Sequence, residues 1–175
     1  AVYVSPVMFE DDSGAVAALR ETVDTAGVPI REIYGNDQLV AGEGTTIDVL
    51  HPPEDGLIGS DNANSIVLLI ELCGRRIILP GDLESRGLDC FLAEEPIDVD
   101  VAMAPHHGSA RSSPAGFAAW CTPEYVVISG GHNRKAAPAM VAFEQAGAKV
   151  MHTAESGAIT VTLSSVGIDV RPYRE

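Results

Sequence analysis

The chain has 175 residues, which suits one domain by the usual range of roughly 100–200 residues. Apolar residues make up 46% and charged residues 21%, an ordinary globular composition that argues against a disordered or collagen-like chain. The 11 Lys and Arg against 25 Asp and Glu give a formal net charge of −14. This charge disfavours a protein that coats nucleic acid, but it permits a local site where metal ions meet phosphate.

Apolar spacing and turn residues predict the elements of the first half of the chain. Ser13 can cap a helix that stops at Gly27, since serine favours helix starts and glycine favours helix ends. Ser65–Leu72 and Arg75–Leu79 flank Cys73-Gly74, which is typical of a hairpin whose glycine takes a positive φ. Further strands are predicted at Val2–Ser5, Ile30–Tyr34 and Thr46–Leu50.

The second half alternates apolar strands with helices. Val99–Ala104 and Tyr125–Ser129 are so apolar that they indicate strands buried on both faces. Ser113-Pro114 is typical of a helix start, with a cap and a first-turn proline. Other helices are predicted at Glu84–Glu94 and Pro138–Ala146, and other strands at Lys149–His152, Ala158–Leu163 and Ile168–Arg171. Strands that both precede and alternate with helices favour one layered α/β domain over residues 1–175.

Polar residues follow two of the predicted buried strands. After Arg75–Leu79, a turn at Gly81 would carry the Asp82 carboxylate out of the core, although Asp82 could instead cap the next helix. After Val99–Ala104 come the adjacent His106 and His107. Imidazoles and a carboxylate at one sheet edge are ligands of Zn²⁺ or a similar transition metal. The alternative is a pair of histidines hydrogen-bonded to loop carbonyl groups.

Other polar residues give weaker signals. His51 precedes two prolines and is expected to face solvent. His132 lies in a glycine-rich turn and is a candidate for the site, whereas His152, at the end of a strand, is a weaker one. Asn64 precedes a buried strand and could line the same edge, although turn chemistry explains it equally well.

Several kinds of site have no sequence signature here. No GxGxxG or P-loop pattern indicates nucleotide binding, and no serine sits in a nucleophile elbow. The longest apolar runs are far shorter than the roughly 20 residues of a membrane helix. The cysteines are Cys73, Cys90 and Cys121. Their wide spacing predicts buried small apolar side chains, and leaves open one disulfide in an oxidising compartment.

Five segments occur in an order that points to a known family. They are Asp61–Ser65, Pro80–Glu84, Ala104–Ser109, Val127–Arg134 and Thr153–Ile159. Together they resemble the metallo-β-lactamase-like domain of ComEC-type DNA-internalisation proteins, and the joint occurrence of the GD and PHHGS motifs at this separation is specific. The resemblance implies a layered αββα sandwich. It also implies that the first strands lie outside this chain, because the HxHxDH-type loop of that fold has no counterpart here.

The resemblance also implies roles for particular residues. Asp82 would bind or bridge the metal ions, and one of His106 and His107 would be the late histidine ligand, so these three are the candidate catalytic and metal-binding residues. The supporting or substrate-contacting candidates are Asn64, Ser109 and His132. The implied cofactor is Zn²⁺ or Mn²⁺, dinuclear in the complete domain and weakly held or absent in this chain. Ala137 stands where the family commonly has a histidine before proline, so no ligand is expected there.

The function implied is that of a metal-dependent hydrolase, phosphodiesterase- or nuclease-like, with DNA or another phosphodiester as substrate. The chain would be a soluble domain of an inner-membrane competence protein, on the periplasmic or extracellular side, with the rest of that protein as its partner. By itself the chain is expected to be inactive. The alternative hypothesis is a catalytically incomplete module of the same fold with a structural or interaction role. An exposed strand edge could also pair with a second copy to form a homodimer.

Overall fold

A seven-stranded sheet organises the fold. The computed structural model describes residues 1–10, 13–42, 44–131 and 136–173. The strands are β1 (Val2–Val4), β2 (Ile30–Glu32), β3 (Gln38–Val40), β4 (Thr45–His51), β5 (Val67–Leu72), β6 (Arg75–Leu79), β7 (Val101–Met103), β8 (Tyr125–Ile128), β9 (Lys149–His152), β10 (Ile159–Ser164) and β11 (Gly167–Pro172). The helices are α1 (Gly14–Thr25), α2 (Ser85–Leu92), α3 (Pro114–Cys121), α4 (Ala137–Gln145) and α5 (Thr153–Ser156). The large sheet has the order β3-β4-β5-β6-β7-β8-β9, while β1-β2 and β10-β11 form separate two-stranded sheets.

The large sheet changes from antiparallel to parallel at β6. Strands β3 to β6 pair antiparallel, whereas β6 to β9 pair parallel and are joined in turn by α2, α3 and α4. The parallel register aligns Ile78, Ala102, Val126 and Val150 across the four strands. The carboxyl ends of β6, β7, β8 and β9 therefore lie side by side, at the kind of sheet edge where α/β proteins bind ligands.

The core lies between one face of this sheet and the three crossover helices. The sheet contributes the buried side chains of Val67, Leu69, Ile78, Ala102, Val126 and Ile128. The helices contribute Leu88, Phe91, Phe117, Ala118, Trp120, Cys121, Ala139 and Phe143. This arrangement confirms the predicted α/β class, because alternate strand residues face a helical layer. In the described part of the chain, no helix is long and apolar enough to span a bilayer.

Most of the predicted elements are present, and the hairpin is confirmed in detail. Strands β5 and β6 pair with Leu72 opposite Arg75, and the two turn residues, Cys73 and Gly74, have φ of 55° and 72°. Two left-handed residues match the twist of the flanking strands. The Ser13 cap is confirmed too, since its side chain accepts a hydrogen bond from the Val16 amide at 3.5 Å.

Some elements differ from the prediction. Strand β3 and the single-turn helix α5 were not predicted, and both are short. Ser113 does precede α3, but it has a φ of 40° and its side chain makes no capping hydrogen bond. The left-handed backbone at Ser113 turns its hydroxyl away from the geometry that an extended cap residue provides.

Two expectations about burial are wrong. His51 is only 4% exposed, not solvent-facing, and its Nε2 donates to the Ala63 carbonyl at 2.8 Å. This hydrogen bond satisfies the ring inside the fold, while burial lowers the pKa of His51 despite the opposing effect of the bond. All three cysteines are free, but Cys73 and Cys90 are exposed and Cys121 is buried. The prediction of a buried small apolar side chain thus holds for Cys121.

Candidate active site

The loops that follow β6 and β7 meet at the carboxyl edge of the sheet. Gly81 turns the first loop with a φ of 58°, and its carbonyl accepts a hydrogen bond from the His106 amide at 3.0 Å. This bond ties the two loops together. The structure thereby brings Asp82 and His107 together, with Oδ1 of the carboxylate 3.5 Å from Nε2 of the imidazole.

Asp82 does not cap the following helix. Helix α2 begins at Ser85 and its cap residue is Glu84, two positions after Asp82. The Asp82 side chain is half-exposed and faces His107 instead. The helix-cap alternative for Asp82 is therefore not what the structure shows.

The histidine pair occupies an unusual backbone conformation. His106 and His107 have φ of 44° and 56°, and Gly108 continues the run with a φ of 75°. Left-handed backbone is costly for residues with a Cβ, and consecutive examples persist only where the surroundings enforce them. Such strain is typical of functional sites, and here it turns two adjacent imidazoles toward the sheet edge.

A backbone carbonyl group sets the tautomer of His107. Its Nδ1 lies 2.8 Å from the Ser129 carbonyl oxygen. A carbonyl can only accept, so Nδ1 carries the proton, and Nε2 of the neutral ring presents a lone pair to Asp82. A carboxylate oxygen and an imidazole lone pair 3.5 Å apart would both be stabilised by a cation that they share, either a proton or a metal ion. The alternative of a histidine hydrogen-bonded to a loop carbonyl group thus holds for Nδ1 of His107, while Nε2 is available as a ligand.

Glu84 is a residue of the site that the sequence reasoning missed. It is 6% exposed, and its Oε2 accepts a hydrogen bond from Nδ1 of His106 at 2.7 Å. Its Oε1 accepts a second from the Asn62 amide nitrogen at 3.2 Å. Burial by itself would raise the pKa of Glu84, but these hydrogen bonds and the charges of His106 and Arg111 hold it below the ordinary value. The signal available in the sequence was that Glu84 follows Asp82 by two residues, in the loop that precedes α2. Its partner, His106, follows the neighbouring strand β7.

A cavity of about 850 Å³ adjoins the histidine pair. Its lining residues are His106, His107, Gly108, Ser109, Ala110, Arg111, Gly130, Gly131, Ala136 and His152. The loops after β7 and β8 and the end of β9 thus share this cavity.

The other predicted site residues are placed differently. Ser109 lines the cavity, and its hydroxyl accepts a hydrogen bond from the Arg111 amide at 3.3 Å. The structure does not bring Asn64 to the histidine pair: its buried amide makes two hydrogen bonds with the Leu57 backbone, at 2.6 and 2.9 Å. His132 lies outside the described residues.

The spacing of Asp82 and His107 matches that of two ligands of one metal ion. Zinc bonds to nitrogen and oxygen of about 2.0–2.2 Å place neighbouring tetrahedral ligands about 3.3–3.6 Å apart. The observed 3.5 Å lies in this range, so the pair fits two ligand positions of such a metal. In residues 1–10, 13–42, 44–131 and 136–173, no group of three His, Cys, Asp or Glu is arranged to hold a metal. A metal ion held by this pair would need further ligands beyond these two.

Comparisons with known proteins agree with the motifs. No protein-family model matches the chain. The chain is 29% identical over 138 residues to the competence protein ComA of Neisseria gonorrhoeae, covering 75% of this chain and 20% of that protein. This similarity confirms the resemblance to competence proteins that the motifs predicted. The chain spans about a fifth of the length of this curated relative.

Two solved structures are similar to parts of the chain. A proposed metal-dependent hydrolase from Parabacteroides distasonis superposes with a TM-score of 0.50 at 15% identity, covering 75% of this chain and 60% of that one. A proposed zinc-dependent hydrolase of the metallo-β-lactamase superfamily from Thermotoga maritima gives a TM-score of 0.39 at 17% identity, covering 61% and 52%. The first of these supports the fold that the sequence predicted.

Proposed function

We propose that this chain carries part of a metal-dependent phosphodiester hydrolase site, nuclease-like, within a membrane-associated DNA-uptake protein. The observation that carries the proposal is the Asp82–His107 pair, whose carboxylate oxygen and imidazole nitrogen face each other at 3.5 Å. The similarity to a competence protein supports DNA as the substrate. A periplasmic or extracellular location is part of the same proposal.

The residues of the site would have different roles. Asp82 and His107 would hold a divalent ion such as Zn²⁺ or Mn²⁺, which when bound supplies a Lewis acid and a water of lowered pKa. The Ser129 carbonyl keeps the His107 proton on Nδ1, so that Nε2 stays available as a ligand. Glu84 orients His106 through its Nδ1, which leaves Nε2 of that ring as a lone-pair donor or a proton acceptor near the substrate.

Metal binding is tested with Mn²⁺ as the probe, because its paramagnetism reveals even weak sites. We expect Mn²⁺ to broaden the amide NMR signals of the loops after β6 and β7 in the unmodified chain. The double variant Asp82→Ala/His107→Ala should lose this broadening. Asp89→Ala, which removes an exposed carboxylate from α2, should keep it. Broadening that survives the double change would refute the metal site.

A second candidate function is a catalytically incomplete module of the same fold. The observation that favours this candidate is that the described residues bring together two candidate metal ligands, Asp82 and His107, and no group of three. Hydrolysis of single-stranded DNA with added Mn²⁺ separates the two candidates. A rate above that of the double variant supports the hydrolase, and equal rates support the incomplete module.

A further inference from the structure

The backbone holds two histidines of the cavity in opposite tautomers. In His107, Nδ1 donates to the Ser129 carbonyl, so the lone pair lies on Nε2. In His152, Nδ1 accepts a hydrogen bond from the Ala154 amide at 3.0 Å. A nitrogen that accepts cannot also carry a proton, so neutral His152 is protonated on Nε2. Of these two imidazoles, His107 presents an acceptor and His152 a donor.

His152 belongs to the lining of the cavity and is 5% exposed. Nε2 is the ring nitrogen that the Ala154 contact leaves over. Within the described residues, no hydrogen-bond acceptor contacts this nitrogen. Because it has no acceptor among residues 1–10, 13–42, 44–131 and 136–173, it can donate to a ligand.

The neighbouring backbone is fixed in place. The Thr153 hydroxyl accepts a hydrogen bond from the Gly130 amide at 2.9 Å and donates to the Gly130 carbonyl at 3.0 Å. A Cβ on Gly130 would lie 3.6 Å from Nε2 of His152, so the glycine keeps this side of the imidazole open. The donor is thus held rigidly, which lowers the entropy lost when a ligand binds.

A positive charge lines the same cavity. Arg111 is exposed there, and among the described residues its guanidinium forms no ion pair. In a chain of formal charge −14, an arginine that lines the same cavity as an imidazole N–H favours local binding of an oxyanion. Phosphate oxygens accept hydrogen bonds and carry charge, so they suit both donors.

We propose that Nε2–H of His152 and the Arg111 guanidinium bind a non-bridging phosphate oxygen of the substrate. The choice of a phosphodiester as the occupant rests on the proposed function. His152 then contacts the substrate, beside the Asp82–His107 pair that faces the metal. The two histidines have different roles because the backbone groups they meet are of opposite kinds.

The test measures anion binding in the absence of metal, with dimethyl phosphate and inorganic phosphate as probes. Dissociation constants come from the amide shifts of Gly130 and Ala154 during NMR titration. In His152→Asn, the side-chain oxygen can still accept the Ala154 amide but the donor is lost. In His152→Gln, an amide N–H is offered near the position of Nε2. We expect His152→Asn to weaken binding about tenfold or more and His152→Gln to retain most of it.

Arg111 provides the second arm and its control. Arg111→Gln should weaken binding of both probes about tenfold, whereas Arg31→Gln removes the same charge from β2, outside the cavity lining, and should change it less than twofold. Equal affinity in His152→Asn and the unmodified chain overturns the proposal. If His152→Asn does not fold, unchanged affinity in Arg111→Gln overturns it instead.

This test separates the inference from the proposed function. Phosphate binding that depends on His152 and Arg111 supports the inference even if the Mn²⁺ broadening does not depend on Asp82 and His107. Conversely, a confirmed metal site with no effect of His152→Asn on phosphate refutes the inference alone.

Discussion

Burial lowers the pKa of His51, so the stability of the fold should depend on pH. Above about pH 6.5 the ring is neutral in both the folded and the unfolded chain. As the pH falls below this value, the unfolded chain binds a proton that the folded chain resists. The free energy of unfolding should therefore fall with decreasing pH, by at most about 1.4 kcal/mol per pH unit from this residue.

Urea denaturation at about pH 7.5 and 5.5 checks this dependence. His51→Gln is the matched variant, because its amide can still donate to the Ala63 carbonyl but does not titrate. The difference in stability between the two pH values should be smaller in the variant. An identical difference in both proteins would show that His51 does not contribute.

The cysteines should differ in reactivity according to their burial. Burial raises the pKa of Cys121 to about 12, whereas Cys73 and Cys90 are exposed. Since the thiolate is the reactive form, Ellman's reagent at about pH 8 should label two thiols rapidly in the folded chain. The third should react only in urea. Rapid labelling of all three thiols, or of one alone, would contradict the structure.

At the scale of single residues, the sequence shows which polar side chains follow a strand and are candidates for the site. It does not show which hydrogen-bond partners these side chains have. Asp82 and the His106-His107 pair could be chosen because they follow apolar strands, but the sequence left open which histidine faces the carboxylate. Glu84 and His51 could not, because their burial depends on Ala63, Asn62 and His106 packing from other segments. From sequence alone a polar residue is predicted to be exposed, because its burial requires a hydrogen-bond partner that only the fold supplies.

At the scale of elements, the contact between α2 and the turn at Asp61–Asn64 depends on Gly87. A Cβ at this position would lie 2.7 Å from both Cα and the carbonyl carbon of Ala63, which are backbone atoms that cannot rotate away. Gly87→Ala should lower the free energy of unfolding by about 1–3 kcal/mol, although alanine favours a helix. It should also loosen the Asn62–Glu84 hydrogen bond, which spans this contact.

Gly14→Ala is the control for this prediction. Gly14 also lies in a helix, α1, but a Cβ at this position would meet no atom of the described residues within 4 Å. Here alanine should be neutral or raise the stability by up to about 1 kcal/mol. Thermal unfolding of the two variants measures the contrast, and a shift in the same direction would contradict the packing at Gly87.

The elements that the sequence predicts well are those with a long apolar pattern or a specific turn. Strands β6 and β9 have the predicted bounds, and the β5-β6 turn has the predicted glycine. Strand β3 has three residues, two of them exposed, so pairing with β4 creates it and no pattern marks it. Strands β3 and β9 are the edges of the large sheet. A homodimer through such an edge stays a prediction.

At the scale of the whole molecule, topology explains why the candidate site could be anticipated at all. Consecutive βαβ units place the ends of neighbouring parallel strands at one edge, whatever their side chains. Residues following β6 and β7 are therefore brought together by connectivity. The opposite tautomers of His107 and His152 could not be anticipated, because they depend on where the fold places the Ser129 carbonyl, just after β8, and the Ala154 amide in α5.

The acidic surface makes a prediction about DNA binding. Proteins that bind DNA through basic surfaces lose affinity steeply with salt, with a slope of log K against log salt of about −0.7 per phosphate neutralised on a single strand. This chain has a formal charge of −14, and among the lining residues that the structure describes the cationic side chain is Arg111. We therefore expect a slope of about −1 or shallower for single-stranded DNA.

Fluorescence anisotropy between about 50 and 300 mM KCl, at constant Mn²⁺, measures this slope. Arg111→Gln should bring it close to zero, because the cation that releases counterions from the bound phosphate is gone. Arg31→Gln should leave it unchanged, since that residue does not line the cavity. A slope steeper than about −3 would require several cations in contact with the strand, and it would place the DNA on a surface other than this cavity.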